Sequence, residues 1–126
     1  EDSPKNDVEI IKAYKAAATC MMANYVFSPV SKLRYFNEGK RNLDKLIVSR
    51  KDVENVYLRL LLQLNVPRTL NYKNNIEEDL AFLDETLAKS QIDLNYKYSM
   101  IENLVSGAKN KELQEDLLQI DVEEKC

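Results

Sequence analysis

Carboxylates are the residues of this chain whose number and spacing could do chemistry. Glu77, Glu78, Asp79, Asp84 and Glu85 crowd one segment, and Glu112, Glu115 and Asp116 another. Paired carboxylates act as general acid and base when burial separates their pKa values, or they hold a divalent cation. Here each pair has polar neighbours, and none repeats the ligand spacing of an EF-hand loop. The pattern predicts solvated acidic faces. The chain contains no His, so Ser-His-Asp and Cys-His nucleophile systems are ruled out and the commonest metal ligand is missing. No Cys-x-x-Cys and no Gly-rich dinucleotide loop occur, and the Gly-Lys of "NEGKRN" falls inside a helical pattern, not after a strand. We expect no catalytic residue, no cofactor, no metal site and no enzyme activity.

Binding chemistry is better represented. Seven Tyr and no Trp occur, and Tyr suits interfaces because its ring is apolar and its hydroxyl polar. Tyr14, Tyr25, Tyr57 and Tyr98 fall on inward stripes, while Tyr35, Tyr72 and Tyr96 are freer. Lys32, Arg34, Lys40, Arg41, Lys45, Arg50 and Lys51 make one segment basic. Residues 1–50 carry 9 basic and 6 acidic groups, and residues 51–126 carry 9 and 15. The two halves should therefore attract each other, and a nucleic-acid partner is not expected. The leading expectation is a helical interaction module that holds a protein or peptide in a groove between helices, with Tyr14, Arg59, Arg68 and Tyr72 near it. A second is a small-molecule or lipid carrier with a cavity lined by Met21, Met22, Leu58 and Leu62. A third is a homodimer.

The elements that must position these residues are helices. The 126 residues suffice for one domain with a real core, and only 2 Gly and 3 Pro occur. No apolar run reaches the length of a membrane span. Five to six helices and no strands are predicted. Helix 1 starts near Ser3-Pro4 and buries Ile11, Tyr14, Ala18, Met21 and Tyr25. Ser28-Pro29 opens helix 2, which runs to about Ser49 and turns Leu33, Phe36, Gly39, Leu43 and Ile47 inward. Gly39 costs helix stability of ~1 kcal/mol against Ala, which a close helix–helix approach would offset. Asp52 caps helix 3, apolar on two faces and therefore central. Pro67 to Leu70 should form a short turn with Asn71 left-handed. Asn75 with Glu78 reads as a capping box for helix 4, which places Ile76, Leu80, Leu83 and Leu87 inward. Helix 5 follows Asp93, turns Tyr98, Ile101 and Leu104 inward and stops at Gly107. Helix 6 runs from Lys111 to about Asp121, before a frayed acidic tail. Cys20 reads as a buried thiol and Cys126 as a mobile one.

Short links between consecutive amphipathic helices imply antiparallel hairpins, either stacked or closed into a bundle. Gly39, Leu43 and Leu46, followed by Tyr57, Leu60, Leu61 and Leu64, match one junction of tetratricopeptide repeats, with Lys51 at the usual inter-repeat Pro. The chain thus resembles a degenerate tetratricopeptide-like fold over about 32–64. The runs "YKAAATCMMANYVFSPVSKLRYFNEGKRNLDKLI" and "VENVYLRLLLQLNVPRTLNYKNNIEEDLAFL" resemble a family of small, uncharacterised, exported helical proteins of Bacteroidetes, over about Ile10 to Leu104. That family shows Leu-Gly-Tyr where this chain has Leu70-Asn71-Tyr72. The resemblance implies an all-α fold and a periplasmic or secreted protein, in keeping with a start at Glu1, as in a mature or trimmed chain. It implies no activity and no catalytic residues.

Overall fold

The computed structural model describes residues 7–22, 29–66 and 72–124. The predicted start at Ser3-Pro4, the Ser28 cap, the Pro67 turn with Asn71, and Cys126 lie outside them. Among the described residues the chain is all-helical: α1 (Asp7–Met21), α2 (Pro29–Ser49), α3 (Val53–Asn65), α4 (Ile76–Thr86), α5 (Leu94–Gly107) and α6 (Lys111–Leu118). The helices form hairpins in chain order. α1 packs chiefly on α2, α3 chiefly on α4, and α6 on α5. α3 also touches α1, α2 and α5, so it is the central element that its two apolar faces predict.

Local chemistry sets the helix starts. The Asp52 side chain accepts the Asn55 N–H, Asp93 accepts from Tyr96, and Asn110 accepts from Leu113. Each satisfies one of the N–H groups that a first helical turn leaves without a partner. α4 starts at the expected place by another route. The Asn75 side chain makes no cap bond to the backbone, and its amide instead donates to Glu78 Oε1 at 3.1 Å. The Asn75 N–H, which a capping-box Glu would accept, donates to Gln63 Oε1 of α3 at 2.8 Å. A side chain from the neighbouring helix thus takes the place of the local acceptor.

α1 corrects the predicted core. Ile11 is 63% exposed, and Tyr14, Ala18 and Met21 also reach solvent. The buried face is made of small residues, Ala13, Ala16 and Cys20. It packs on Gly39 of α2, where an added Cβ would lie 2.5 Å from Cys20 N and 2.6 Å from Ala16 O. The close approach expected of Gly39 is therefore present, and it selects small partners. On α2, Phe36, Leu43 and Ile47 are buried as predicted, but Leu33 is exposed. On α5, Ile101 and Leu104 are buried, while Tyr98 points outward and donates to Glu123. Leu83 of α4, Leu87 at its C-terminal cap and Leu117 of α6 complete the core, together with Ile120 beyond α6.

Cys20 is a buried free thiol whose Sγ donates to Phe36 O at 3.5 Å. Burial, helped by the Asp44 charge, pushes it up to about 12. Burial likewise raises Tyr72 and Tyr57. The sign of the consequence is fixed. An unfolded thiol loses its proton near pH ~8.5, whereas the folded one keeps it, so the native state holds more protons and stability falls as pH rises. The contribution is constant below that pH and drains away towards pH 12, at ~1.4 kcal/mol per unit for this one group. Urea melts between pH 7 and 11 should show a falling midpoint above pH ~8.5, with a shallower fall in Cys20→Ala. Equal slopes in the two proteins would remove Cys20 from the account.

Candidate binding groove

Three helices, α1, α3 and α5, leave a groove of about 630 Å³ between them. α1 contributes Tyr14, Ala18 and Met21, part of the stripe that the sequence placed in the core, together with Ala17 and Cys20. From α3 come Leu58, Leu61 and Leu62, followed by Asn65 and Val66, at steps of three and four. α5 adds Asn103, Ser106 and Gly107. Gly107 lies close under Asn65, whose Nδ2 would be 2.6 Å from an added Cβ. Among the described residues, no charged side chain lines this groove. Its volume falls within the roughly 300–1,000 Å³ typical of ligand pockets.

The polar groups of the groove are anchored. Asn65 Nδ2 donates to Leu61 O at 2.8 Å, and Asn103 Nδ2 donates to the Tyr57 hydroxyl at 3.1 Å. Tyr14 bonds both the Tyr96 hydroxyl and Glu54 Oε2, the latter at 3.0 Å. Partial burial and these neighbours raise the Tyr14 hydroxyl well above its ordinary value, so it stays protonated at physiological pH.

Of the four residues expected at the groove, Tyr14 alone is there among the described residues. Arg68 lies outside the described residues. Arg59 and Tyr72 belong elsewhere, to a buried polar cluster that joins α2, α3 and α4. Arg59 Nε and a terminal nitrogen donate to the two oxygens of Asp79, at 3.0 and 2.7 Å, and Gln63 Nε2 donates to Asp79 at 2.8 Å. Asp79 is 0% exposed, so the solvated reading of that acidic segment fails at this one residue. Asp44 Oδ1 lies 3.6 Å from Arg59 and accepts from the Tyr72 hydroxyl at 3.4 Å. Phe36 meets the Tyr72 ring edge-on at 5.5 Å, and Lys40 sits over it at 5.2 Å. Tyr72 is 1% exposed and offers a partner almost no surface.

Burial works against the Arg59 cation, but the bonds and charge of Asp79 outweigh it and hold the guanidinium above its ordinary value. Asp79 fares differently: burial raises its carboxyl further than Arg59 and Gln63 pull it down. Attraction within such a buried pair is largely offset by the desolvation of both charges, so the pair adds little net stability, whereas removing one partner alone is costly. Outside this cluster, the Asn75 amide and Lys51 hold exposed Glu78 below the ordinary carboxylate range. Asp84, Glu85, Glu112, Glu115 and Asp116 are exposed, and no group of three potential metal ligands occurs among the described residues. No described helix is long and apolar enough to cross a membrane.

Sequence reasoning missed Asn65, Asn103 and Ser106. The second stripe of α3, Leu58 and Leu62, runs on at the same spacing through Asn65 and Val66, and that continuation is the signal that could have found the α3 wall. Three residues expected in a carrier cavity, Met21, Leu58 and Leu62, do line the groove. Compared with family models, with curated proteins and with solved structures, the chain matches none.

Proposed function

We propose that the protein is a non-enzymatic interaction module that holds an uncharged apolar segment of a protein or peptide in the α1–α3–α5 groove. The observation that carries this reading is the groove wall itself: Ala18, Met21, Leu58, Leu61 and Leu62 line it, and among the described residues no charged side chain does. Alternate helices side by side along a stack of hairpins resemble tetratricopeptide-like arrays, whose binding surfaces are built this way. The test uses capped octapeptides that alternate Leu, Val or Ile with Ser or Thr, read by calorimetry. Ala18 is exposed, so Ala18→Trp should leave the melting temperature nearly unchanged while filling the groove. Micromolar binding to the native chain, weakened at least ~10-fold in Ala18→Trp, is expected for an anchor lost at the centre of a contact. No binding at all, or equal binding to the native chain and to Ala18→Trp, counts against the groove.

A carrier of small apolar molecules is the second reading, favoured by the position of Met21, Leu58 and Leu62 on the wall and by the volume. Laurate and 1-dodecanol are suitable probes. A stoichiometric adduct in native mass spectrometry, with no peptide bound, would select it.

A further inference from the structure

We propose that a second copy of this chain docks on the cleft between α4 and α6 through the outer face of its α2, a contact separate from the groove. The cleft measures about 450 Å³. Half-buried Ile76 and Leu80 of α4 and Leu113 of α6 line it, together with exposed Glu77, Glu112 and Asp116. Glu112 and Asp116 are four residues apart and so share one face of α6. Lys73 is the one cation in the lining among the described residues. An occupant that suits this cleft brings apolar surface and positive charge together.

α2 presents that combination. Val48 is 88% exposed, more than any other large apolar side chain among the described residues. Exposed Arg41 and Lys45 precede it by seven and three residues and lie on the same face. The basic excess before residue 50 and the acidic excess after it predict attraction between the halves. Among the described residues, however, no ion pair joins α2 to α4 or α6, and Arg41, Lys45, Glu77, Glu112 and Asp116 take part in none. Within one chain α2 packs on α1 and α3, and α6 on α5. Docking between copies puts Val48 against Ile76, Leu80 and Leu113, which removes apolar surface from water. It also brings Arg41 and Lys45 to the carboxylates at the rim. Rim charges of this kind set orientation and encounter rate more than affinity, so the contact is weak and sensitive to salt. A basic segment of another protein would satisfy the cleft alone. A second copy accounts for the exposed Val48 and its unpaired cations as well. No residue of either face lines the groove, so a bound peptide and a second copy do not compete for the same side chains.

The experiment is sedimentation velocity at ~0.01 M and ~0.5 M salt, between which the screening length falls from ~30 Å to below ~10 Å. The native chain should self-associate at low salt with a dissociation constant on the order of 10–100 µM, and at least ~10-fold more weakly at high salt. Val48→Asp, Arg41→Glu/Lys45→Glu and Glu112→Lys/Asp116→Lys should each be monomeric at low salt. All five positions are exposed, so the fold should persist. The decisive sample is an equimolar mixture of the two double variants. Only across the mixture does each altered face meet its opposite charge, so association should return there. Lys12→Glu/Lys15→Glu changes the net charge equally at exposed positions of α1 and should associate like the native chain. A native chain that stays monomeric at low salt up to ~1 mM overturns the proposal. So does association that is unchanged in both double variants, or a mixture that stays monomeric. A monomeric chain that binds a capped peptide of alternating Lys and Val gives the cleft to a basic partner instead of a second copy. None of these outcomes bears on octapeptide binding, which reports on the groove alone.

Discussion

Arg59→Met should cost ~3–5 kcal/mol of stability, because it strands the Asp79 carboxylate in the core. Asp79 is fully buried, and Arg59 supplies two of the three side-chain donors that reach it. Domains of this size have only ~5–15 kcal/mol in total, so the variant should be near the edge of folding. The reverse deletion is milder. In Asp79→Leu, Arg59 still has Asp44 at 3.6 Å and Glu78 at 3.8 Å to turn towards. Arg59→Met/Asp79→Leu should recover most of the loss, since a well-packed apolar pair often replaces a buried ion pair at little cost. The pH dependence gives an independent readout. Without Arg59, the folded-state pKa of Asp79 rises further, so the variant is least damaged at pH ~4 and below, where the unfolded carboxyl takes up its proton too, and loses ground as pH rises. Urea midpoints of the three variants at pH 4 and 7 decide the matter. An Arg59→Met midpoint equal to the native one at pH 7 would mean that water reaches Asp79.

Arg59 and Asp79 also show where reading the sequence stops. Each sits at a position that pattern alone assigns to a surface: an arginine in an apolar helix reads as a binding contact, and an aspartate in Glu-Glu-Asp reads as solvated. Only the meeting of α3 with α4 makes them partners, 20 residues apart. Helix number and order were legible because Asp52, Asp93 and Asn110 cap through local bonds that reach three residues along the chain. The inner face of α1 was not legible. Periodicity favoured Ile11, Tyr14, Ala18 and Met21 because that stripe carries larger apolar side chains than Ala13, Ala16 and Cys20. The choice between the faces was made by α2, which brings a glycine and not a large side chain to the contact. The displaced stripe then became a wall of the groove, so half of the candidate site was written in the sequence under the heading of core.

That choice makes Gly39 the second position with a large expected effect. In an exposed helix, Gly→Ala adds ~1 kcal/mol of stability. In α2 the new methyl would lie 2.5 Å from Cys20 N, 2.6 Å from Ala16 O and 2.6 Å from Cys20 Sγ. Two of these are backbone atoms of α1 and cannot rotate away. The helices must separate, and overpacking of this kind costs ~1–3 kcal/mol. The net change should therefore be a loss, opposite in sign to the propensity. Cys20→Ala tests the cause. It removes the sulfur but neither backbone atom, so Gly39→Ala/Cys20→Ala should stay destabilised relative to Cys20→Ala alone. Full rescue by Cys20→Ala would show that the side chain, and not the helix spacing, excludes the methyl. Since α1 also carries Tyr14, Ala18 and Met21 into the groove, its displacement should weaken peptide binding in Gly39→Ala even at temperatures where the variant remains folded. A variant that melts early and still binds with native affinity would separate the α1–α2 contact from the groove wall it supports.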